Sequence, residues 1–190
     1  SSAASDVYKR QTSFQPKYDL YAKKRESADL VQTLESQIST AHNVLQLDEL
    51  KCRKRVLRRL GFTSSEDIVE KKGRVACEIS TGDELLLTEL IFTGTFNDME
   101  PEHCAALLSC FVFGERSEHP VRLKEELAAP LRILQDTARR IAKVSVECRL
   151  PVVEQDYVQS FKVELMDAVL QWCQGARFVD ICKMTDVFAG

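Results

Sequence analysis

The chain of 190 residues has few of the residues that interrupt helices: it contains 7 glycines and 5 prolines, against an apolar content of 44%. This composition excludes a disordered or collagen-like chain and favours a folded, mainly α-helical protein. No apolar run approaches the roughly 20 residues of a membrane-spanning helix, and no signal-peptide core is present, so we expect no membrane partner. The net charge of −3 provides no overall attraction to nucleic acid, and any RNA contact must come from a local basic patch.

The sequence also lacks the motifs of common nucleotide and metal sites. It has no G-x-x-x-x-G-K-[ST] loop and no DExH or DEAD box, so the chain alone is not expected to bind or hydrolyse ATP. Its seven cysteines form no C-x-x-C pair, which argues against zinc or a disulfide framework and favours reduced, mostly buried thiols. The histidines suggest no nucleophile–base pair. We therefore predict no catalytic residue, no metal and no cofactor in this chain.

A heptad pattern lies in the first third of the chain. The segment from Tyr18 to about Leu45 is predicted to be a long helix, because apolar residues recur there at alternating spacings of three and four. These residues form a seam that should pack on a partner helix, and no segment of matching length follows directly. Either the partner lies upstream of this sequence, or the seam packs on the body of this domain. The seam consists of Val31, Leu34, Ile38, Ala41 and Leu45.

A basic run follows the seam. Leu47–Leu60 is predicted to be a second helix, or a continuation after a break, that ends at Gly61. Six of the nine residues from Lys51 to Arg59 are basic, and arginine suits phosphate because its guanidinium donates from a planar fork. The run indicates a phosphate-binding face or, alternatively, a solvated face whose cations pair with nearby acids. The candidate nucleic-acid-binding residues are Lys51, Arg55, Arg58 and Arg59.

The rest of the chain is predicted to contain one β-hairpin and several helices. The hairpin joins Ile68–Val69 to Arg74–Ile79 through a turn at residues 71–73, and a helix followed by a small hairpin is typical of the second half of a winged helix. The helix that begins at Asp83 is apolar nearly all round and should be buried. The predicted helices are Asp83–Phe92, Pro101–Phe113, Leu123–Glu147 with a kink or division at Pro130, Glu154–Gln174 and Phe178–Met184.

Five motifs carry a resemblance to a known family. RKRVLRRLGF, GRVACEIS, ELLLTELIF, ALLSCFVF and ICKMTDVF occur in this order between Arg53 and Phe188. Together they resemble the C-terminal region of the Ski-type DExH-box RNA helicases, and within that family the nuclear, exosome-associated member. The resemblance implies two RecA-like motor domains that bind ATP and magnesium and move RNA in the 3′-to-5′ direction, a winged helix interrupted by a coiled-coil stalk, and a closing helical bundle called DSHCT.

The resemblance also implies a division of this chain. Residues 1–11 are interpreted as a non-native leader, and residues 12–46 as the returning helix of the stalk. Residues 47–82 would be the C-terminal half of a winged helix with its short hairpin, and residues 83–190 an incomplete DSHCT helical bundle. Alanine stands at position 189, where the family usually has glutamate. The family's RNA-contacting helix is expected after Gly190, so we interpret the chain as a fragment.

The implied function is therefore that of the scaffold and RNA-channel region of a nuclear, ATP-dependent RNA helicase. The implied partners are RNA, the motor domains of the same polypeptide, and the RNA exosome with its adaptors. Two other interpretations remain open. The chain could be a freestanding helical adaptor that binds a partner through the seam from Val31 to Leu45, or a winged-helix nucleic-acid binder that uses the basic run from Lys51 to Arg59.

Overall fold

The computed structural model describes residues 2–112, 114 and 123–185, with side chains from residue 14 onward. The described part is mainly helical, as predicted, and forms two compact units, Ser1–Leu50 and Lys51–Gly190. Its helices are α1 (Ser2–Arg59), α2 (Lys71–Cys77), α3 (Glu84–Phe92), α4 (Pro101–Val112), α5 (Glu125–Glu147), α6 (Glu154–Gln159), α7 (Met166–Cys173) and α8 (Phe178–Cys182). The predicted residues Phe113 and Asp186, and the loop between α4 and α5 apart from Gly114, lie outside the described residues.

The first helix is continuous through the point where a break was thought possible. It includes Pro16 and ends where Gly61 adopts a left-handed backbone with φ of +80°, as predicted. The N–H of Phe62 donates to the Leu57 carbonyl at 2.9 Å, and the N–H of Gly61 donates to the Arg58 carbonyl at 3.1 Å. This Schellman motif satisfies the last carbonyls of the helix and turns Phe62 into the core, where only 1% of it is exposed.

The predicted β-hairpin is wrong. Residues 71–77, assigned to its turn and second strand, form α2, and the described residues contain only an isolated bridge between Thr63 and Val69. The alternation in this short segment also fits a helix whose inner side carries Gly73 and Ala76, both buried and three residues apart. Gly73 approaches Phe62 so closely that a Cβ would lie 2.3 Å from the Phe62 carbonyl oxygen. The winged-helix assignment of residues 47–82 loses the support of its hairpin.

The third helix begins as the sequence predicts, but it is not buried all round. Asp83 caps it, because the Asp83 carboxylate accepts a hydrogen bond from the Leu86 N–H at 2.9 Å. Leu86 and Leu90 are fully buried, whereas Ile91 and Phe92 near its C-terminal end are more than 40% exposed. The helix therefore has an inner face packed on α2 and α5 and an outer face open to solvent.

The last two thirds of the chain differ from prediction in how the helices are divided. Pro130 does not divide α5, since it is the sixth residue of that helix and removes only a hydrogen bond near its start. The predicted helix Glu154–Gln174 is two helices, α6 and α7. The intervening turn buries Phe161, whose ring lies edge-on to Phe111 and Tyr157 with centroids 5.5 and 5.3 Å away. A straight helix would not place Phe161 and Met166 in the core together.

One further correction concerns the cysteines, all of which are free thiols. Only Cys110 and Cys148 are buried, so the expectation of mostly buried thiols is wrong. Cys52 and Cys104 are partly buried, and Cys77, Cys173 and Cys182 are exposed. Burial raises the pKa of Cys110 to about 12, because the apolar surroundings disfavour the thiolate.

Candidate functional site: a basic helix end and a buried charge network

The basic run occupies the last turns of α1, where its side chains alternate with an apolar stripe. Val56 and Leu60 on that stripe are buried in the core of the second unit, and this burial fixes the orientation of the helix end. The basic side chains therefore lie on the remaining faces, and all four predicted binding residues are exposed. Exposure alone does not make a cation available to a ligand, because internal carboxylates can occupy it.

Arg58 is occupied in this way. Its Nε and Nη2 atoms donate to the two carboxylate oxygens of Asp67 at 2.6 and 2.8 Å, and Lys54 Nζ lies 3.7 Å from the same carboxylate. Asp67 has φ of +63°, a left-handed conformation that aspartate tolerates better than most residues. The hydrogen bonds from Arg58 lower the pKa of Asp67 and raise the pKa of Arg58. The pair holds the loop after α1 against the helix end.

Arg59 is occupied as well. Its Nη2 lies 2.6 Å from Oε2 of Glu147, the last residue of α5. This bond raises the pKa of Arg59 and joins the end of α1 to the end of α5 within the second unit. For Arg58 and Arg59, the arrangement agrees with the alternative in which the basic run pairs with nearby acids.

Lys51 and Arg55 differ from these two. Each is exposed, and neither forms an ion pair within the part of the chain that the structure describes. Four residues separate them, so they lie one above the other on one side of the helix. The four candidate residues therefore divide equally: two are used inside the fold, and two present positive charge to solvent.

The seam residues lie on α1, in the first unit. All five are exposed, and Ile38 retains 68% of its accessible surface. Among the described residues, nothing in this unit covers them, although apolar side chains at heptad spacing on a soluble helix are normally buried against another helix. The second possibility considered for the seam, packing on the body of the domain, is not supported by these exposures.

Sequence reasoning missed a charge network inside the second unit. Glu89 lies on the inner face of α3 with only 3% of its side chain exposed, and it forms ion pairs with Lys72 of α2 and with Arg140 of α5. The Arg140 Nη2 atom is 2.5 Å from Glu89 Oε2. A signal was present, because a glutamate inside the apolar helix LLLTELIF must find a cationic partner when that helix is buried.

Lys72 connects this network to the end of α1. Its ammonium donates to the Leu60 carbonyl at 2.7 Å and lies 4.8 Å from the centre of the Phe62 ring. A single side chain thus contacts the C-terminus of α1, the core ring of Phe62 and the buried carboxylate of Glu89. This arrangement fixes the helix end that carries Lys51 and Arg55 relative to α2 and α3.

Searches for other kinds of site were negative within the described residues. No group of three or more histidine, cysteine or acidic side chains is placed to hold a metal ion. None of the described helices is long and apolar enough to cross a membrane. His103 lies 3.2 Å from Glu126, which joins α4 to α5. The candidate site is therefore an interaction surface and not a catalytic centre.

Comparison with known proteins agrees with the motifs. The family model of the DSHCT (NUC185) domain matches residues 66–190. The chain is 60% identical over 175 residues to "ATP-dependent RNA helicase mtr4" of Schizosaccharomyces pombe, and 57% identical over 173 residues to "Exosome RNA helicase MTR4" of Homo sapiens. It is also 46% identical over 161 residues to "DExH-box ATP-dependent RNA helicase DExH10" of Arabidopsis thaliana.

These similarities extend along nearly the whole chain but along a small part of each relative. They cover 92%, 91% and 84% of this chain, respectively, but only 16%, 17% and 16% of the relatives. The helicase family expected from the motifs is confirmed. The chain belongs to the DSHCT domain family and is related to the Ski-type DExH-box RNA helicases.

Proposed function

We propose that the chain acts as the C-terminal scaffold and RNA-channel region of an ATP-dependent 3′-to-5′ RNA helicase in exosome-linked RNA processing and decay. The observation that carries the proposal is the identity of 60% and 57% to two proteins named as RNA helicases, one of them as an exosome helicase. The proposed partners are RNA, RecA-like motor domains in the same polypeptide, and the exosome with its adaptors. The proposed location is the nucleus.

The chain itself supplies no ATP chemistry in this proposal. Its sequence contains neither a phosphate-binding loop nor an acidic box for magnesium, so ATP and magnesium would belong to the motor domains of the parent protein. What the chain supplies is a rigid support. The network of Lys72, Glu89 and Arg140 joins three helices, and the bond from Arg59 to Glu147 fixes the end of α1. A channel wall must hold its position while a motor pulls RNA past it.

Lys51 and Arg55 are the proposed RNA contacts at the end of α1, because their charges are not used inside the described fold. Replacing both residues with glutamate should weaken RNA binding by this chain at low salt and reduce its salt dependence. Each lost phosphate contact on a single strand lowers the slope of log affinity against log salt by about 0.7. Replacing Arg58 with glutamine should change RNA binding less, because Asp67 already occupies that guanidinium.

A segment exchange tests the proposed function. The matching segment of the fission yeast mtr4 relative is replaced by this chain, and RNA-stimulated ATP hydrolysis and unwinding of a duplex with a 3′ tail are measured. We expect the chimera to retain both activities, whereas deletion of the segment should abolish unwinding. A folded chimera that binds ATP and RNA but fails to unwind would contradict the proposal. The isolated chain should not hydrolyse ATP.

A second candidate function, that of a freestanding helical adaptor, is favoured by one observation: the seam of α1 is exposed. Ile38→Asp distinguishes the two candidates, with Ser39→Asp at the neighbouring exposed position as its control. If the seam packs inside the parent helicase, Ile38→Asp should lower the melting temperature of the chimera. If the chain is an adaptor, that substitution should leave the chimera unchanged and abolish binding of a separate helical partner to the isolated chain.

A further inference from the structure

The solvent face of α5 carries a line of cations that is separate from the basic run of α1. Arg132, Arg139 and Lys143 are exposed and are spaced by seven and four residues, so they lie along one side of the helix. Eleven residues separate the first from the last, a distance of roughly 16 Å along the helix axis. Among the described residues, Arg132 and Lys143 form no ion pair, and Arg139 is 2.6 Å from the exposed carboxylate of Asp136. We call these three side chains the α5 ridge.

A polar groove lies beside the α5 ridge, where α6 packs against α5. Its volume is about 490 Å³, within the range of small-molecule sites. Arg139 belongs both to the ridge and to the groove wall. The other lining residues are three glutamines, one glutamate and one valine: Gln135, Gln155, Gln159, Glu154 and Val158. A glutamine amide both donates and accepts hydrogen bonds, so the groove offers the paired polar groups that recognise a base edge.

We propose that the α5 ridge and its groove form a binding site for single-stranded RNA. Arg132, Arg139 and Lys143 hold phosphates of one strand, and the glutamine-lined groove receives a base and its ribose. Glu154 gives the site a means of preferring RNA, because a carboxylate accepts a hydrogen bond from a ribose 2′-hydroxyl that DNA lacks. The inference rests on the proposed function only for the class of ligand.

The groove is the reason for choosing RNA over an acidic protein. A line of cations would attract either, but protein interfaces obtain most of their affinity from large apolar or aromatic anchors in dry pockets. Val158 is the one apolar side chain that lines this groove, and it is half-buried. Polar walls beside a cationic ridge match a ligand that presents phosphates outward and polar base edges inward.

The test uses the purified chain and short fluorescent oligouridylate and oligoadenylate, with binding measured by anisotropy over a range of salt concentrations. The variant Arg132→Gln/Arg139→Gln/Lys143→Gln removes the α5 ridge. Its matched control, Lys17→Gln/Lys23→Gln/Lys24→Gln, removes the same charge from exposed positions on α1. Circular dichroism establishes that both variants keep the helical content of the parent chain.

We expect the ridge variant to bind RNA about tenfold more weakly at low salt and to lose about 2 from the salt slope, which is three single-strand contacts at roughly 0.7 each. The control should stay within twofold of the parent chain, and Glu154→Gln should reduce the preference for oligouridylate over oligodeoxyuridylate. Equal losses in ridge and control variants would overturn the proposal, since they indicate diffuse attraction. Stronger competition by polyglutamate than by RNA would overturn it in favour of an acidic protein partner.

The outcome is separable from that of the proposed function. If RNA binding is lost in the Lys51/Arg55 variant and kept in the ridge variant, the α5 site is wrong and the proposed function stands. If the chain binds no RNA, the α5 site is wrong, and the segment exchange decides the proposed function independently through its ATPase and unwinding readouts.

Discussion

Removing Lys72 from the buried network should destabilise the second unit far more than removing an ordinary exposed lysine. In Lys72→Met, the carboxylate of Glu89, with 3% of its side chain exposed, keeps only Arg140, which is half-exposed. Breaking a buried ion pair by deleting one partner costs about 3–5 kcal/mol, and we expect the lower end because Arg140 remains. A loss of about 3 kcal/mol corresponds to a fall of roughly 10 °C in melting temperature for a unit of this size.

The double variant Lys72→Met/Glu89→Met provides the decisive comparison. It leaves no unpaired buried carboxylate, and well-packed apolar replacements of a buried pair are often neutral. We therefore expect the double variant to be more stable than Lys72→Met, although it carries an additional substitution. Lys162→Met, at a lysine with no carboxylate partner among the described ion pairs, serves as the control and should change the free energy of unfolding by less than about 0.5 kcal/mol.

The free energies of unfolding are measured by urea titration. Helical circular dichroism and the fluorescence of Trp172, the single tryptophan, are followed together, because coincident transitions are required for a two-state treatment of the second unit. If the effects of the two single substitutions simply add in the double variant, Lys72 and Glu89 are not energetically coupled. That result would refute the argument that a buried carboxylate without a partner is the cause.

Three further predictions concern single sites. Gly73→Ala should cost about 3 kcal/mol, because its Cβ would lie 2.3 Å from a backbone oxygen, whereas Gly114→Ala, with nothing within 4 Å, should change thermal stability little. Asp67→Asn should lower the melting temperature at neutral pH. The lowered pKa of Asp67 makes its contribution present above the unfolded-state pKa and lost as pH falls through the folded-state pKa, so melting curves of variant and parent should converge in acid. Native-state alkylation at mildly alkaline pH, read by mass spectrometry, should modify exposed Cys173 and spare Cys110, whose pKa is raised to about 12; rapid labelling of Cys110 would contradict its burial.

The helices that the sequence predicts well are those with local start and stop signals. Asp83 before an apolar run, Pro101 at a first position and Gly61 after a last turn each act through the backbone of their own neighbourhood, so no tertiary information is needed. The hairpin failed for the opposite reason. Residues 74–79 alternate as a strand does, and what makes residues 71–77 helical is the approach of Gly73 to Phe62, a contact between separate elements.

The division of Glu154–Gln174 also depends on a distant contact. No glycine or proline marks the break between α6 and α7, and the sequence pattern continues through it. The break exists because Phe161 packs against Phe111 of α4. A single sequence reveals which side chains are apolar, but it does not show that two aromatic rings 50 positions apart will meet.

The candidate site shows the same limit in its charges. The sequence identifies the basic run, but it cannot assign a partner to each cation, because Arg58 is matched by a carboxylate nine residues later and Arg59 by one at the end of α5. Pairing inside the fold neutralises those two and leaves Lys51 and Arg55, together with the ends of the α5 ridge, as charges without ion partners among the described residues. On a chain whose net charge is negative, only such unmatched clusters can attract a polyanion. Local charge that survives internal pairing, and not the density of basic residues in the sequence, should therefore determine where this chain binds RNA.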